Sequence, residues 1–113
     1  MGEASTEVLK GTLDLLILKA LSLGPMHGYG LARWIRSTTD DVLNVEDGAL
    51  YPALYRTLKQ GWIRAEWGRS ENNRRAKYYS LTSRGTRQLQ RETAQWSRFS
   101  GAVGKILRAG AAS

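Results

Sequence analysis

Residues 62–81, WIRAEWGRSENNRRAKYYSL, carry the pattern that is most informative about the architecture of the chain. Its first half carries apolar residues at alternate positions, and this period of two predicts a half-exposed β-strand. Ile63, Ala65 and Trp67 alternate there with the charged residues Arg64 and Glu66. Residues 77–81, KYYSL, contain aromatic residues that favour strands, and they predict the second strand of a hairpin. The nine mostly polar residues 68–76 between the strands predict a long loop with a basic tip.

Three helices are predicted before this hairpin. Apolar residues at i, i+3, i+4 and i+7 predict the first helix over residues 7–23. A second helix is predicted over residues 28–37 and a third over residues 47–60, with a short β-like piece at residues 42–45 between them. Asp47 is a suitable N-cap for the third helix. Three helices followed by a basic hairpin predict a mainly α fold, the winged helix-turn-helix.

After the hairpin, a last helix is predicted over residues 83–107, with Thr82 or Ser83 as its N-cap. Apolar residues with heptad spacing form a seam along this helix that is suited to helix-on-helix packing. The seam consists of Leu89, Trp96, Phe99, Val103 and Ile106. Basic residues on the opposite side are interpreted as a solvated face. We therefore expect a winged helix domain (1–82) and a C-terminal dimerisation helix (83–113) in one compact unit.

The first helix is apolar on almost every side. Leu15 and Leu18 lie on a second face, away from the stripe that faces the core. A helix that is apolar nearly all round is usually buried on two sides. Two interpretations follow: a central core helix of a monomer, or a helix whose second face meets another subunit.

The composition excludes several classes of protein. With 113 residues and 42% apolar content, the chain is expected to form one domain. It has no cysteine and a single histidine, which excludes disulfides, thiol nucleophiles and His-rich zinc sites. That histidine, His27, is interpreted as a helix-start residue. The longest apolar run is residues 15–18 and no secretory pattern begins the chain, so a cytoplasmic protein without membrane contact is expected. We expect no enzymatic activity, no cofactor and no metal.

The charge is unevenly distributed. The net charge is +7. Residues 1–56 carry five basic and seven acidic groups, whereas residues 57–113 carry twelve basic and three acidic groups. Positive charge concentrated in one half indicates a polyanionic partner, and nucleic acid before a membrane surface.

The third helix of a helix-turn-helix lies in the major groove of DNA. At about 100° per residue, the side opposite its leucines is the one offered to base edges. That side and its flanks consist of Gly48, Ala49, Pro52, Tyr55, Arg56 and Lys59. Arg56 is the best candidate for a guanine contact, because the guanidinium supplies two rigidly spaced donors. The alternative is that Arg56 and Lys59 are ordinary solvent-facing charges.

Two further groups of residues carry functional hypotheses. Arg74, Arg75 and Lys77 at the hairpin tip suit phosphate neutralisation or insertion into a minor groove, and the alternative is a solvated loop. Trp96 lies in the middle of the last helix's seam. It is expected to pack in a dimer interface, with a cavity for a flat aromatic ligand as the alternative.

Four motifs in order resemble PadR-type transcriptional regulators. They are GTL with the apolar run to residue 21, HGYG at 27–30, GALYPALYR at 48–56 with GWI at 61–63, and RRAKYYSLT at 74–82. The resemblance covers residues 8–107. It implies a homodimeric winged-helix DNA-binding protein, usually a repressor, whose last helix packs against the first helix of the other subunit. The chain is similar to the short branch of the family, which has a single C-terminal helix.

The resemblance also implies roles for particular residues. Tyr29 and Tyr51 approach the DNA, with the hairpin tip nearby. Some short members respond to aromatic molecules bound at the dimer interface, which would involve Trp96. The chain departs from the family at Thr57-Leu58, where Leu-Glu is common, and this predicts local repacking on the core side of the third helix.

These observations support three hypotheses. The first is a sequence-specific repressor that binds a pseudo-palindromic operator as a dimer. The second is a small-molecule sensor whose pocket at the dimer interface controls release of DNA. The third, non-specific packaging of nucleic acid, predicts binding governed by salt alone.

Overall fold

The computed structural model describes the backbone of residues 2–110 and the side chains of residues 12–110. The helices and strands, in chain order, are α1 (Gly2–Leu21), β1 (Met26–His27), α2 (Gly28–Thr38), α3 (Asp47–Lys59), β2 (Ile63–Arg69), β3 (Arg75–Leu81) and α4 (Ser83–Arg108). This is the predicted winged helix-turn-helix with a long C-terminal helix. In the described part of the chain, no helix is long and apolar enough to cross a membrane.

The sheet has three antiparallel strands in the order β1-β3-β2. Both strands of the hairpin were predicted from the sequence. β1, which pairs with β3 at Tyr78 and Tyr79, was not predicted, because a strand of two residues is too short to show a period. The predicted β-like piece at residues 42–45 is wrong, because these residues form no strand. The remaining edge of β3 is occupied by β1, and the connection instead places Val45 in the core at 6% exposure.

The hairpin loop is shorter than predicted. Strand pairing continues outward to Arg69 opposite Arg75, so the loop comprises residues 70–74 rather than 68–76. Asn73 adopts the left-handed backbone conformation, with φ of 59°, and its N–H donates to a carbonyl three residues earlier at 2.8 Å. Asparagine tolerates this conformation better than most residues, and it therefore closes the turn tightly.

The core lies between α1, α2, α3 and the inner face of the sheet. Its buried apolar residues are Leu13, Ile17, Leu18, Ala20, Leu21, Leu31, Ile35, Val45, Leu50, Ala53, Leu54, Ile63 and Tyr79. Of the two interpretations of the second face of α1, the core position applies to Leu18, because the side chain is 0% exposed within this chain and cannot reach another subunit. α1 has α2, α3, α4 and β3 as neighbours, which accounts for the burial of several of its sides. Leu15 is half-buried.

The start of α3 differs from the prediction in its details. The chain is still extended at Glu46, which is the N-cap, so Asp47 is the first helical residue. Ala49 was expected on the exposed side, but it is half-buried and packs against the core. Pro52 lies in the second turn. The carbonyl of Gly48, which the missing N–H of Pro52 leaves without a helical donor, belongs to an exposed residue that water reaches.

α3 ends in a Schellman motif. Gly61 has a φ of +78°, and its N–H donates to the carbonyl of Leu58 at 3.0 Å. The N–H of Trp62 donates to the carbonyl of Thr57 at 3.1 Å. Glycine adopts this left-handed conformation without a steric penalty, and the two bonds satisfy carbonyls at the helix end. The predicted closure of the helix at Gly61 is confirmed.

Thr57 and Leu58 both lie on the core side of α3. Thr57 takes the core position and is 0% exposed. Its hydroxyl lies 3.0 Å from the carbonyl of Ala53 and 2.9 Å from that of Leu54, so the buried polar group is satisfied inside its own helix. Leu58 packs against the edge of the core and is half-buried.

Thr82 joins α4 to the rest of the molecule. As the predicted N-cap, it accepts a hydrogen bond from the N–H of Gly85 at 3.1 Å, and its hydroxyl donates to the carbonyl of Gly61 at 2.7 Å. Gly85 lies against the carbonyl of Trp62, which leaves no room for a side chain. Beyond Leu89, which packs against the core, α4 extends outward and gives the molecule its dimensions of 61 × 31 × 21 Å.

Candidate nucleic-acid interface

An open groove of about 860 Å³ separates the hairpin from the start of α2. We call this the wing groove. Its side chains are predominantly basic and aromatic, and they come from α2, α3 and both strands of the hairpin. The lining includes Tyr29, Arg33, Tyr51, Trp67, Glu71, Arg74, Arg75, Lys77 and Tyr78. Four of these side chains are cationic and one is anionic, so the groove suits a negatively charged partner.

Three exposed aromatic rings, one each on α2, α3 and the hairpin, lie next to a cationic side chain. On α2, Arg33 lies 5.6 Å from the ring centre of Tyr29, and on α3 Lys59 lies 5.6 Å from that of Tyr55. On the hairpin, Arg75 lies 4.3 Å from the ring centre of Trp67. The three rings are 68%, 63% and 56% exposed in that order. These pairs present positive charge and flat apolar surface together, which is the combination that nucleic acids bind.

The start of α2 is shaped by His27. Its Nδ1 accepts a hydrogen bond from the N–H of Gly30 at 3.0 Å, which confirms the interpretation of this histidine as a helix-start residue. The ring meets Tyr78 edge-on at a centroid distance of 5.2 Å. Gly28 is buried beneath Tyr51, whose hydroxyl occupies the space that a Cβ would need. Because Gly28 has no side chain, Tyr51 of α3 packs directly against the start of α2.

The exposed face of α3 contains most of the residues expected from the sequence. They are Gly48, Tyr51, Pro52, Tyr55, Arg56 and Lys59. Ala49 turns inward, so the centre of the face lies nearer Tyr55 than predicted. Arg56 lies at the edge of the face and donates to the carboxylate of Asp14 on α1 at 2.8 Å. In this structure its guanidinium is held towards α1.

The strand register explains the exposure of Trp67. Residues directly opposite in an antiparallel pair share a face, and Trp67 lies opposite Lys77. The same face carries Ile63 and Tyr79, which belong to the core. The alternation therefore assigned Trp67 to the correct face of the strand, but the core ends before it. Beyond the core, this face of the hairpin continues as a wall of the wing groove.

Arg74, Arg75 and Lys77 are all exposed and line the wing groove. Only Arg74 lies in the hairpin loop; the placement of Arg75 and Lys77 at the tip is wrong, because strand pairing extends to Arg75 and both residues belong to β3. Arg33 and Trp67 are among the groove residues that were not predicted from the sequence. The spacing of four between Tyr29 and Arg33 places them on one face of a helix and was the available signal for Arg33. For Trp67 the available signal was its position at the end of the alternation, next to the polar loop of the hairpin.

The base of the groove is uncharged. Burial raises the pKa of the Tyr79 hydroxyl, and the neighbouring Tyr51 raises it further. Tyr79 is 6% exposed, so it stays a neutral hydroxyl beneath the basic walls at physiological pH.

The seam residues expected at a dimer interface occupy two environments. Leu89 packs partly against the core of its own chain. Trp96, Phe99, Val103 and Ile106 are exposed by 42%, 62%, 38% and 75% respectively. The rings of Trp96 and Phe99 lie 6.1 Å apart. The outer part of α4 therefore carries an apolar row with no cover from the described part of its own chain.

Comparison with known proteins agrees with this geometry. The family model for the transcriptional regulator PadR-like family matches residues 17–91. A transcriptional regulator from Clostridium thermocellum is similar at a TM-score of 0.82 and 28% identity, over 90% of this chain and 99% of the other. A PadR family transcriptional regulator from Eggerthella lenta has a TM-score of 0.77 and 33% identity, over 96% and 92% of the two chains.

A PadR-like transcriptional regulator from Bacillus cereus is also similar, at a TM-score of 0.79 and 29% identity, over 92% of this chain and 99% of the other. The family match covers more than half of the sequence, and it contains α2, α3 and both strands of the hairpin. The chain therefore belongs to the PadR-like family of DNA-binding transcriptional regulators.

Proposed function

We propose that the protein is a repressor that binds a pseudo-palindromic DNA operator as a homodimer. One observation carries the proposal: the wing groove and the exposed face of α3 form one basic and aromatic surface. Tyr51 joins the two parts, because it lines the groove and is also exposed on α3. A surface of this chemistry neutralises phosphates and positions a helix for contact with bases.

The proposed docking places α3 in the major groove. Gly48 and Pro52 allow close approach of the helix, while Tyr55 and Lys59 lie at the centre of the exposed face. Arg74, Arg75 and Lys77 of the hairpin then reach phosphates or a flanking minor groove. Arg56 contacts a guanine only if it leaves Asp14, so its direct role in base recognition is part of the proposal.

The exposed row on α4 supports dimerisation. An uncovered series of apolar side chains is characteristic of a protein interface, and Phe99 and Ile106 are more than half exposed. We propose that residues 83–113 serve as the dimerisation segment and residues 1–82 as the DNA-binding domain. The half-buried Leu15 of α1 contributes to the contact with the second subunit. A twofold axis then places two α3 helices about 34 Å apart, one turn of DNA.

The test is a salt-titrated electrophoretic shift assay with the DNA upstream of the protein's own gene and a scrambled duplex. Equal affinity for both duplexes would overturn the proposal. A variant with Arg74→Gln and Arg75→Gln is expected to bind more weakly, and the salt slope falls by about 0.9 for each phosphate that is no longer neutralised. The control variant carries Arg91→Gln and Arg98→Gln on the outer face of α4, with the same charge change. It is expected to bind like the wild type.

A second function is favoured by the exposure of Trp96 beside Phe99. In a dimer, these rings form part of an apolar interface in which a flat aromatic effector stacks and changes the affinity for DNA. Quenching of tryptophan fluorescence by aromatic compounds, abolished in Trp96→Ala and kept in Trp67→Phe, would support this sensor. The absence of quenching across a broad panel would argue against it.

A further inference from the structure

Trp67 occupies an unusual place on the hairpin. It shares a face with buried residues of the sheet, yet it is 56% exposed at the wing groove. Two cations lie beside its ring: Arg75 is 4.3 Å and Lys77 is 5.7 Å from the ring centre. A tryptophan ring attracts a guanidinium more strongly than other aromatic side chains do. The exposed ring of Trp67 therefore interacts with the cations beside it rather than with the core.

Arg75 has a neighbour of the same charge. It lies directly opposite Arg69 in the sheet, and like charges at opposite positions repel. The two side chains are separated because Arg69 donates to the carbonyl of Asn73 at 3.2 Å, while Arg75 lies over Trp67. The ring therefore gives Arg75 one defined direction, along the wall of the wing groove.

We propose that Trp67 is a positioning residue of the DNA interface, which holds the guanidinium of Arg75 where it meets a phosphate of bound DNA. This inference rests on the proposed function. It assigns the effect of Trp67 to Arg75, rather than to stacking of Trp67 on a base or a sugar. An arginine fixed before binding loses less side-chain freedom when it contacts the phosphate, so the ring raises affinity without touching DNA.

The test is a double-mutant cycle on the full-length protein. The probe is the duplex that the wild-type protein selects from a randomised pool. Trp67→Ala and Arg75→Gln are each expected to weaken binding by about five- to tenfold, a range set by two weak contacts per dimer. The double variant is expected to bind within twofold of Arg75→Gln alone. Arg75→Gln should lower the salt slope by about 0.9 for each phosphate that Arg75 no longer neutralises. Trp67→Ala should leave the slope nearly unchanged, because Arg75 still reaches the phosphate, at a greater entropic cost.

Three variants keep the outcome interpretable. Trp67→Phe retains an aromatic ring and should bind within about threefold of wild type, whereas Trp67→Leu, apolar without a ring, should resemble Trp67→Ala. Arg64→Gln removes one charge from the opposite face of β2 and should leave the affinity within twofold. Thermal melting monitored by circular dichroism shows whether each variant is folded.

The results separate the inference from the proposed function. If the wild-type protein selects no preferred duplex, the repressor proposal fails and this inference fails with it. If a duplex is selected, but the effects of Trp67→Ala and Arg75→Gln multiply, Trp67 acts independently of Arg75 and only the inference is overturned. Equal binding by the Phe and Leu variants would also overturn it, because apolar packing would then account for the effect.

Discussion

Arg56 in α3 donates to the carboxylate of Asp14 in α1 at 2.8 Å, although the residues are 42 positions apart in the chain. The arginine side chain is 52% exposed and the aspartate 28%. This ion pair ties the edge of the proposed recognition helix to α1. Since partly exposed pairs contribute little to stability, the main effect of the contact is on the direction of Arg56.

Asp14→Asn is expected to release Arg56. If Arg56 contacts DNA, the substitution should raise the affinity for the selected duplex severalfold, while the free energy of unfolding changes by less than about 1 kcal/mol. Fluorescence anisotropy measures the affinity. Asp41→Asn is the matched control, because Asp41 forms an exposed ion pair with Arg36 at 3.6 Å, away from α3. Equal effects of the two substitutions would contradict a specific role for Asp14.

Thr57 provides a test of core packing. Thr57→Val removes a buried hydroxyl that is bonded only to carbonyls of its own helix, so we expect the free energy of unfolding to change by less than about 1 kcal/mol. Thr57→Leu adds volume at a position with 0% exposure and should destabilise the protein by about 1–3 kcal/mol. Urea denaturation measures both. A stabilised Leu variant would show unfilled space beside α3.

Two glycines of α4 are expected to respond oppositely to alanine. In the described part of the chain, no atom beyond the neighbouring backbone of α4 lies within 4 Å of the Cβ position of Gly101, so Gly101→Ala should stabilise the helix by up to about 1 kcal/mol. Gly85→Ala would collide with the carbonyl of Trp62 and should destabilise by about 1–3 kcal/mol. Thermal melting distinguishes them. A decrease in stability in Gly101→Ala would indicate close contact with another chain at that position.

Tyr79 predicts how stability depends on alkaline pH. Its pKa is raised mainly by burial, so the folded state favours the neutral hydroxyl. Ionisation in the unfolded chain, at an ordinary pKa of about 10, then favours unfolding, and stability falls as the pH rises above that value. Tyr79→Phe should make this decline shallower. Tyr29→Phe, at a position 68% exposed, should not change it. Denaturation curves below and above about pH 10 decide between these outcomes.

The elements of the fold were predictable because their signals are local. Periods of two and of three to four residues locate the strands and helices, and Gly61 marks the end of α3. β1 could not be predicted in this way, since a strand of two residues shows no period. The hairpin loop was placed too broadly because its polar residues continue into paired strands. The left-handed backbone conformation at Asn73 shows where the turn lies, and the sequence alone does not separate the turn from the paired strands.

The site was harder to predict because it depends on where the core ends. A periodic pattern identifies the face of Trp67 and of Leu18, but not whether another element covers it. Leu18 is covered by the chain's own elements, and Trp67 is not. The pair between Arg56 and Asp14 is a contact distant in sequence, with no local signal. The basic residues of the hairpin were predictable from charge alone. The orientation of Arg75 by the ring of Trp67 was not, because it depends on the register between β2 and β3.

The two hydrogen bonds of the Thr82 side chain have a mechanical consequence. They fix the base of α4 to the carbonyl that ends the α3 segment, at the foot of the hairpin. α4 has 26 residues and a length of about 39 Å. Its fixed end lies beside α3 and the hairpin, the elements proposed to bind DNA. Each degree of rotation at Thr82 moves the far end by about 0.7 Å over that length. In a dimer joined along α4, a small change of packing angle would therefore reset the distance between the two α3 helices, and with it the spacing of half-sites that the protein accepts.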